Sequence, residues 1–260
     1  MAKLAYTKKG VGEEAILFIH GIMASKEVWE DQLEYFEKKY QIIAIDLYGF
    51  GASKGEFRDS SFEDHAQDIR DLLHELGISK VNIVGWSMGA SVAIVFSSLF
   101  PDMIEKLILV DGTPQLIASD DFPDAVPPEA AQQLGLALQN DYQSGCQAFA
   151  DMQVNEQDSK NAKNRILNIL LETDPQVALS HFASSGKRDL RPLLQNIKAT
   201  TLVICGEIDQ VCPLGASKYL SGHISDSTLS VFKEKGHCCF LTDSKHFTSE
   251  LSSFISNNKI

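Results

Sequence analysis

Short runs of Ile, Val and Leu recur along the 260-residue chain, and polar or glycine-containing segments separate them. Such nearly continuous apolar runs are typical of strands that are buried on both faces of a parallel sheet. The segment LAYT (4–7) is a candidate for an additional edge strand. The six main runs are AILFIH (15–20), YQIIAID (40–46), KVNIVGW (80–86), EKLILVD (105–111), TTLVICG (200–206) and STLSVF (227–232).

Helical patterns lie between these runs. EVWEDQLEYFEKK (27–39) and SFEDHAQDIRDLLHELG (61–77) place apolar residues at intervals of three and four. An apolar helix follows Met88, and TDSKHFTSELSSFI (242–255) forms a last amphipathic segment. The alternation of strands and helices predicts an α/β fold with a doubly wound, mostly parallel sheet.

Residues 113–187 interrupt the alternation because they contain no strand-like run. A proline-rich loop is followed by four helical segments, PEAAQQLGLALQN, YQSGCQAFADMQ, SKNAKNRILNILLE and PQVALSHFASS. We expect a helical cap (113–187), inserted after the sixth core strand, over a core made of residues 1–112 and 188–260. Ligands bind beyond the carboxyl ends of the strands in such sheets, so the cap would roof the site. The alternative is a separate helical domain with no role there.

Composition and charge exclude several classes of function. The net charge of −12 argues against nonspecific binding to nucleic acid, which needs a basic face. No apolar run reaches the roughly 18 residues that cross a bilayer, and MAKLAYTKKG lacks the apolar stretch of a signal peptide. The five cysteines have no metal-type spacing. We therefore expect a cytoplasmic protein with reduced thiols, no metal, no cofactor and a monomeric state.

The segment VGWSMGAS places Ser87 between Gly85 and Gly89, after a strand and before a helix. G-x-S-x-G in that context is typical of a nucleophile elbow, a tight turn that exposes the serine hydroxyl. Side chains at the two glycine positions would collide with neighbouring backbone. The N–H of Met88 would stabilise negative charge at the helix N-terminus. The alternative is a serine that only caps the helix.

A nucleophilic serine needs a base, and the base needs an orienting acid, in the order Ser, acid, His for this fold. Among seven histidines, His237 follows the strand STLSVF at the carboxyl edge of the sheet. Asp209 follows TTLVICG and is the preferred acid, while Asp111, at the end of LILVDG, is the alternative. We expect His65, within the charged 61–77 helix, to face solvent.

A second oxyanion donor should come from the loop after AILFIH. There, His20 and Gly21 let the backbone pass close to the elbow, so the N–H of Ile22 can join that of Met88. His20 itself is expected to hold this loop by hydrogen bonds.

As a set, FIHGIM, D-L-x-G-F-G-x-S, GWSMG, GEIDQVCP and the late GH resemble the α/β-hydrolase superfamily of the cap subtype, over nearly the whole chain. GWSMG, FADMQ (149–153) and DLRPLLQNI (189–197) further resemble the pimeloyl-acyl-carrier methyl ester carboxylesterases of biotin synthesis. One departure is Ile22, where the best-known members have tryptophan. The resemblance implies substrate contacts from Ile22, Ser87, Met88, Phe149, Ala150, Asp151, Met152, Gln153 and His237.

That family holds its acidic carrier with arginines on the cap. Here the first half of the cap is acidic, and the one basic cluster, on the third cap helix, consists of Lys160, Lys163 and Arg165. This cluster is a candidate docking site for an acyl carrier protein, and the alternative is a plain solvated surface.

These features together predict a serine carboxylesterase, and the resemblance implies that its substrate is the methyl ester of pimeloyl-acyl carrier protein. His237 would take the Ser87 proton and Asp209 would stabilise the imidazolium. The alternatives are a general short-acyl carboxylesterase, a carbon–carbon bond hydrolase of the same fold, and a non-catalytic ligand receptor that keeps the same residues.

Overall fold

Seven strands form one sheet in the computed structural model, which describes residues 3–157 and 159–257. The order across the sheet is β1-β3-β2-β4-β5-β6-β7, with β1 antiparallel to β3 and every other neighbouring pair parallel. The strands are β1 (Tyr6–Lys9), β2 (Ala15–Ile19), β3 (Gln41–Ile45), β4 (Val81–Trp86), β5 (Ile104–Val110), β6 (Thr200–Gly206) and β7 (Ser227–Phe232).

Ten α-helices connect and cover the strands within the described residues. From β2 the chain moves one way along the sheet to β3, and from β4 onward it moves the other way. Because parallel crossovers are right-handed, this reversal puts helices on both faces, as a doubly wound sheet requires. The helices are α1 (Glu30–Phe36), α2 (Phe62–Glu75), α3 (Met88–Leu99), α4 (Pro128–Asn140), α5 (Tyr142–Gln153), α6 (Lys160–Leu171), α7 (Pro175–Ser185), α8 (Leu214–His223), α9 (Cys239–Thr242) and α10 (Ser244–Ser256).

The central strands are the most deeply buried ones. All residues of β2 and β4 are buried, whereas β1, at the edge, alternates between exposed and half-buried positions. The strands β2 and β4 are neighbours at the point where the strand order reverses. Ligands bind outside the carboxyl ends of strands at such a point, which is where the segments after Ile19 and Trp86 meet.

Helices α4–α7, which we call the inserted helices, lie between β5 and β6 along the chain. Within the described residues, five strands precede them along the chain, so they follow β5. The expected position after a sixth strand is therefore wrong by one strand. Two hydrogen bonds hold the inserted helices to the core. Thr173 Oγ1 donates to the Met23 carbonyl at 3.1 Å, and the Arg165 guanidinium donates to the Glu27 carbonyl at 2.8 Å. The boundaries of the core and the cap stay predictions.

No helix within residues 3–157 and 159–257 is long and apolar enough to span a membrane.

His65 is buried, so the prediction that it faces solvent is wrong. It lies one turn from Phe62 and Ile69 on the inner face of α2, and its ring stacks on that of His181 from α7, with centroids 5.3 Å apart. Both ring nitrogens of His65 lack a hydrogen-bond partner among the described residues. The many charged residues of this helix concealed the position, since one of them, Asp68, is itself buried on the inner face, where it pairs with Arg58.

The His65–His181 pair predicts a loss of stability in acid. Burial lowers the pKa of both imidazoles, that of His181 from 6.5 to about 4. The unfolded chain therefore takes up these protons before the folded chain does, and the free energy of unfolding falls as the pH drops from 6.5 towards 4. Replacing His181 with phenylalanine should remove up to about 3 kcal/mol of this fall.

Urea unfolding at about pH 7.5 and about pH 4.5 measures the effect. The matched control is His74→Gln, which changes an exposed histidine on the same helix as His65 and should keep the wild-type pH dependence. Equal pH dependence of the His181→Phe variant and the wild type would contradict the prediction.

Candidate active site

Ser87 stands at a sharp turn between β4 and α3. Its φ of 56° and ψ of −119° lie in a region that side chains other than glycine rarely adopt. A Cβ at Gly85 would lie 2.4 Å from the Gly89 carbonyl oxygen, and a Cβ at Gly89 would lie 2.4 Å from the Ile19 carbonyl oxygen. Both glycines are therefore required by close backbone contacts, as expected for an elbow that lifts a serine hydroxyl from the chain.

The loop after β2 passes directly over this turn. A Cβ at Gly21 would lie 3.0 Å from the Trp86 ring and 3.1 Å from Ser87 Cβ. Ile22 and Met88 border the same cavity as Ser87. Within residues 3–157 and 159–257, neither of their N–H groups has a hydrogen-bond acceptor. Two unused amides beside a serine hydroxyl are the donors that an oxyanion would need.

His20 holds this loop, as predicted. Its Nε2 accepts a hydrogen bond from the Leu47 N–H at 3.0 Å, so Nδ1 carries the proton and donates to the Gly21 carbonyl at 2.7 Å. Burial lowers the pKa of His20, which favours this neutral form. The imidazole thus ties the Gly21 carbonyl to the segment that follows β3.

Asp209 and His237 form a buried pair at the same edge of the sheet. His237 Nδ1 lies 2.8 Å from Asp209 Oδ2, while Asp209 Oδ1 accepts the N–H groups of Val211 at 2.7 Å and Cys212 at 2.9 Å. These bonds fix the carboxylate, and the carboxylate orients the imidazole so that Nε2 is available as a base.

Trp86 connects the histidine to the elbow. Its indole N–H donates to the His237 carbonyl at 2.8 Å, and the two rings lie 5.4 Å apart. The residue before Ser87 therefore sets the position of the loop that carries the histidine. Glu207, two residues before Asp209, instead accepts the Glu234 N–H at 3.0 Å and closes the loop after β7.

Asp111, the alternative acid, makes no hydrogen bond to His237 within the described part of the chain. Its Oδ1 accepts the Gly206 N–H at 2.8 Å. Ligand-type atoms of Asp111, Asp209 and His237 lie within 4.8 Å of one another, which makes this the group that could hold a metal ion among the described residues. The Asp209–His237 hydrogen bond already uses one atom of each residue.

The cavity at Ser87 is small and mainly apolar, with a volume of about 40 Å³. A second apolar cavity of about 360 Å³ lies among α4, α5 and α7. Four residues border both cavities: Leu116, Phe149, Phe182 and Val211. The rings of Phe149 and Phe182 meet edge to face between the two, with centroids 5.3 Å apart.

The segment 149–153 contributes unevenly to these cavities. Phe149 borders both and Met152 borders the second, but Ala150, Asp151 and Gln153 border neither. Asp151 is half exposed and pairs with Lys163 at 2.9 Å. Gln153 is buried and accepts the Cys238 thiol at 3.6 Å, so it supports the His237 loop from behind. Helical periodicity puts Met152 on the same side as Phe149, whereas Gln153, at the end of α5, contacts Cys238 instead.

Several lining residues escaped sequence reasoning because distant segments supply them. Phe62 comes from α2, Phe182 and Ser185 come from α7, and Arg188 follows α7. The guanidinium of Arg188 pairs with Glu63 at 2.6 Å and lies over the Phe62 ring at 5.9 Å. No local motif marks these positions, and only the docking of α7 on α2 brings them to Ser87.

The basic cluster on α6 is largely neutralised by the chain itself. Arg165 pairs with Asp31 at 3.3 Å and Glu30 at 3.7 Å, and Lys163 pairs with Asp151. Lys160 is exposed. Arg165 thus anchors the inserted helices to α1, which leaves a weaker cationic surface than the sequence alone indicated.

Comparison with known proteins gives consistent matches over most of the chain. The chain is 28% identical to the karrikin insensitive 2 receptor B of Petunia hybrida, over 89% of this chain and 86% of the receptor. It is 26% identical to the pimeloyl-[acyl-carrier protein] methyl ester esterase of Nitrosomonas europaea, over 96% of this chain and 98% of that enzyme. An esterase from Exiguobacterium antarcticum shares the fold, with a TM-score of 0.93, 24% identity, and coverage of 98% and 96%.

The alpha/beta hydrolase fold family matches residues 14–244, which include the elbow, both aspartates and His237. The sheet topology agrees with that match. The chain therefore belongs to the alpha/beta hydrolase fold family, as a hydrolytic enzyme.

Proposed function

We propose that the protein is a serine carboxylesterase that acts through Ser87, His237 and Asp209. The observation that carries the proposal is the buried Asp209–His237 pair, at 2.8 Å, which Trp86 ties to a serine held at a strained elbow. His237 takes the proton as Ser87 Oγ attacks the ester carbonyl. The N–H groups of Ile22 and Met88 stabilise the oxyanion, the alcohol leaves with the proton from His237, and water releases the acid by the same steps.

For the substrate, we propose an ester of an aliphatic acid and a small alcohol, with the methyl ester of pimeloyl-acyl carrier protein as the specific candidate. The similarity to the Nitrosomonas europaea esterase, which extends over nearly the full length of both chains, supports this candidate. So does the apolar cavity of about 360 Å³, which falls within the usual size of small-ligand pockets. A long acyl chain would reach that cavity past Phe149 and Phe182, whereas the cavity at Ser87 holds only a small group.

Assays of the purified protein on three esters distinguish the candidate functions. The esters are p-nitrophenyl acetate, p-nitrophenyl octanoate and the methyl ester of pimeloyl-acyl carrier protein. We expect a higher kcat/KM on the carrier-linked ester than on the acetate. We also expect the gene to rescue a biotin auxotroph that lacks its methyl ester esterase. Hydrolysis of the acetate alone would favour a general short-acyl carboxylesterase. Near-background rates on all three would favour a ligand receptor and overturn the proposal.

A further inference from the structure

A second buried carboxyl group stands beside Asp209 and has no part in the steps above. Asp111 follows β5, is fully buried, and has a φ of 46°, in the left-handed region that aspartate tolerates better than most residues. Its N–H donates to the Ile204 carbonyl at 2.8 Å, so the backbone is anchored to β6. This conformation turns the carboxyl group towards the end of β6, next to Asp209.

The two carboxyl groups differ in their hydrogen-bond donors. Asp209 accepts two backbone N–H groups and the imidazole of His237. Asp111 accepts one backbone N–H, from Gly206, and the thiol of Cys239 at 3.4 Å, which is a weak donor. Three donors, one of them cationic once His237 is protonated, stabilise a negative charge on Asp209 far better than on Asp111.

Oxygen atoms of Asp111 and Asp209 lie within 4.8 Å of each other. Two buried carboxyl groups at such a distance do not both ionise, because each charge is desolvated and repels the other. Burial, and then the charge of Asp209, raises the pKa of Asp111 well above its ordinary value. The surrounding thiols stay neutral because burial raises the pKa of each. These thiols are those of Cys205, Cys212, Cys238 and Cys239. The charged groups that lie beyond them are Lys218 and Glu156.

We propose that Asp111 is a positioning residue that stays protonated and donates its carboxyl O–H to Asp209, so that Asp209 is the single negative charge beside His237. The inference rests on the proposed function, in which His237 is the base. A neutral donor holds Asp209 in place and disperses its charge. A second carboxylate would instead raise the affinity of His237 for protons and keep it protonated when it must accept the serine proton.

The experiment compares Asp111→Asn, which keeps a neutral donor, with Asp111→Leu, which removes the donor. NMR titration of the labelled His237 imidazole gives its pKa without any need for turnover, and the acid limb of kcat/KM on p-nitrophenyl acetate gives the catalytic counterpart. The control is Glu207→Gln, which removes an exposed negative charge from the same loop.

For Asp111→Asn we expect the His237 titration to stay within about 0.3 pH unit of the wild type. For Asp111→Leu we expect an upward shift of about 0.5 pH unit or more, with the acid limb moving the same way, because Asp209 loses its donor. If Asp111 is ionised in the wild type, Asp111→Asn removes a charge within 4.8 Å of the pair, and the titration falls by about one pH unit or more. That fall would overturn the proposal.

If the leucine variant does not fold, the asparagine variant alone decides, since the two charge states predict different shifts. The proposed function fails separately, when the wild type lacks hydrolysis that depends on Ser87. The NMR titration still reports the charge of Asp111 in that case.

Discussion

Replacing Ser87 with alanine is expected to lower kcat for ester hydrolysis by roughly 10⁶-fold, as loss of the serine nucleophile does in comparable enzymes. The substitution removes only the Oγ atom. Alanine meets the same strain at the φ of 56° as serine does, and Ser87 forms no helix-capping hydrogen bond through its side chain. The melting temperature should therefore change little, and stopped assays on p-nitrophenyl acetate measure the loss of rate.

Ser91→Ala is the matched control for that experiment. Ser91 lies one helical turn after Ser87 and borders the same cavity. Among the described residues, its side chain makes a single long hydrogen bond, of 3.4 Å, to the Thr113 carbonyl. Its removal should change kcat by less than about threefold, since it holds no position from which it could attack an ester bound at the elbow. Full activity of Ser87→Ala would refute the nucleophile assignment.

The strands were predictable because burial on both faces leaves little choice of residue. TTLVICG coincides with β6 residue for residue, and β6 is buried at all positions but its first. STLSVF also coincides with β7, although β7 is an edge strand and is mostly half-buried. The helical segments that became α4, α5 and α7 match equally well, since proline or a polar residue marks where each begins. The edge strand β1 is displaced: LAYT (4–7) starts two residues before it, because β1 alternates between exposed and half-buried positions and carries no continuous apolar run.

The candidate site was predictable to the extent that backbone geometry dictates it. Gly85 is required by the elbow's own backbone, and Gly89 and Gly21 stand where the segments after β2 and β4 approach each other, so their positions leave a pattern in the sequence. The cavity walls leave none. Phe182 and Arg188 reach Ser87 only through the packing of α7 on the core, and the burial of His65 depends on the same packing.

The choice between Asp209 and Asp111 also needed the fold. Both follow parallel strands at the carboxyl edge, so sequence position alone permits either. The deciding contacts are the hydrogen bond from His237 to Asp209 and the N–H groups of Val211 and Cys212 on the other oxygen. The Val211 and Cys212 N–H groups lie in the turn that follows β6. Within the described residues, no N–H group that follows Asp111 in the same way donates to its carboxylate.

Asp209→Asn is expected to lower kcat by about 10⁴-fold, the loss seen when the orienting aspartate of a serine triad becomes asparagine. The Val211 and Cys212 N–H groups require an acceptor, so the amide oxygen of the new side chain takes the Oδ1 position and its NH₂ group faces His237. The imidazole then presents Nδ1 as an acceptor and carries its proton on Nε2. In that tautomer it cannot accept a proton from Ser87.

Glu207→Gln makes the matched change two residues away, at an exposed carboxylate whose partner is the Glu234 N–H. It should keep wild-type kcat within about threefold, because its charge is screened by solvent and it orients nothing at the elbow. The two variants, compared on the same ester with their folding checked by circular dichroism, separate loss of tautomer control from loss of charge. Comparable kcat values for Asp209→Asn and Glu207→Gln would mean that His237 does not depend on Asp209, and the proposed roles of both residues would fall together.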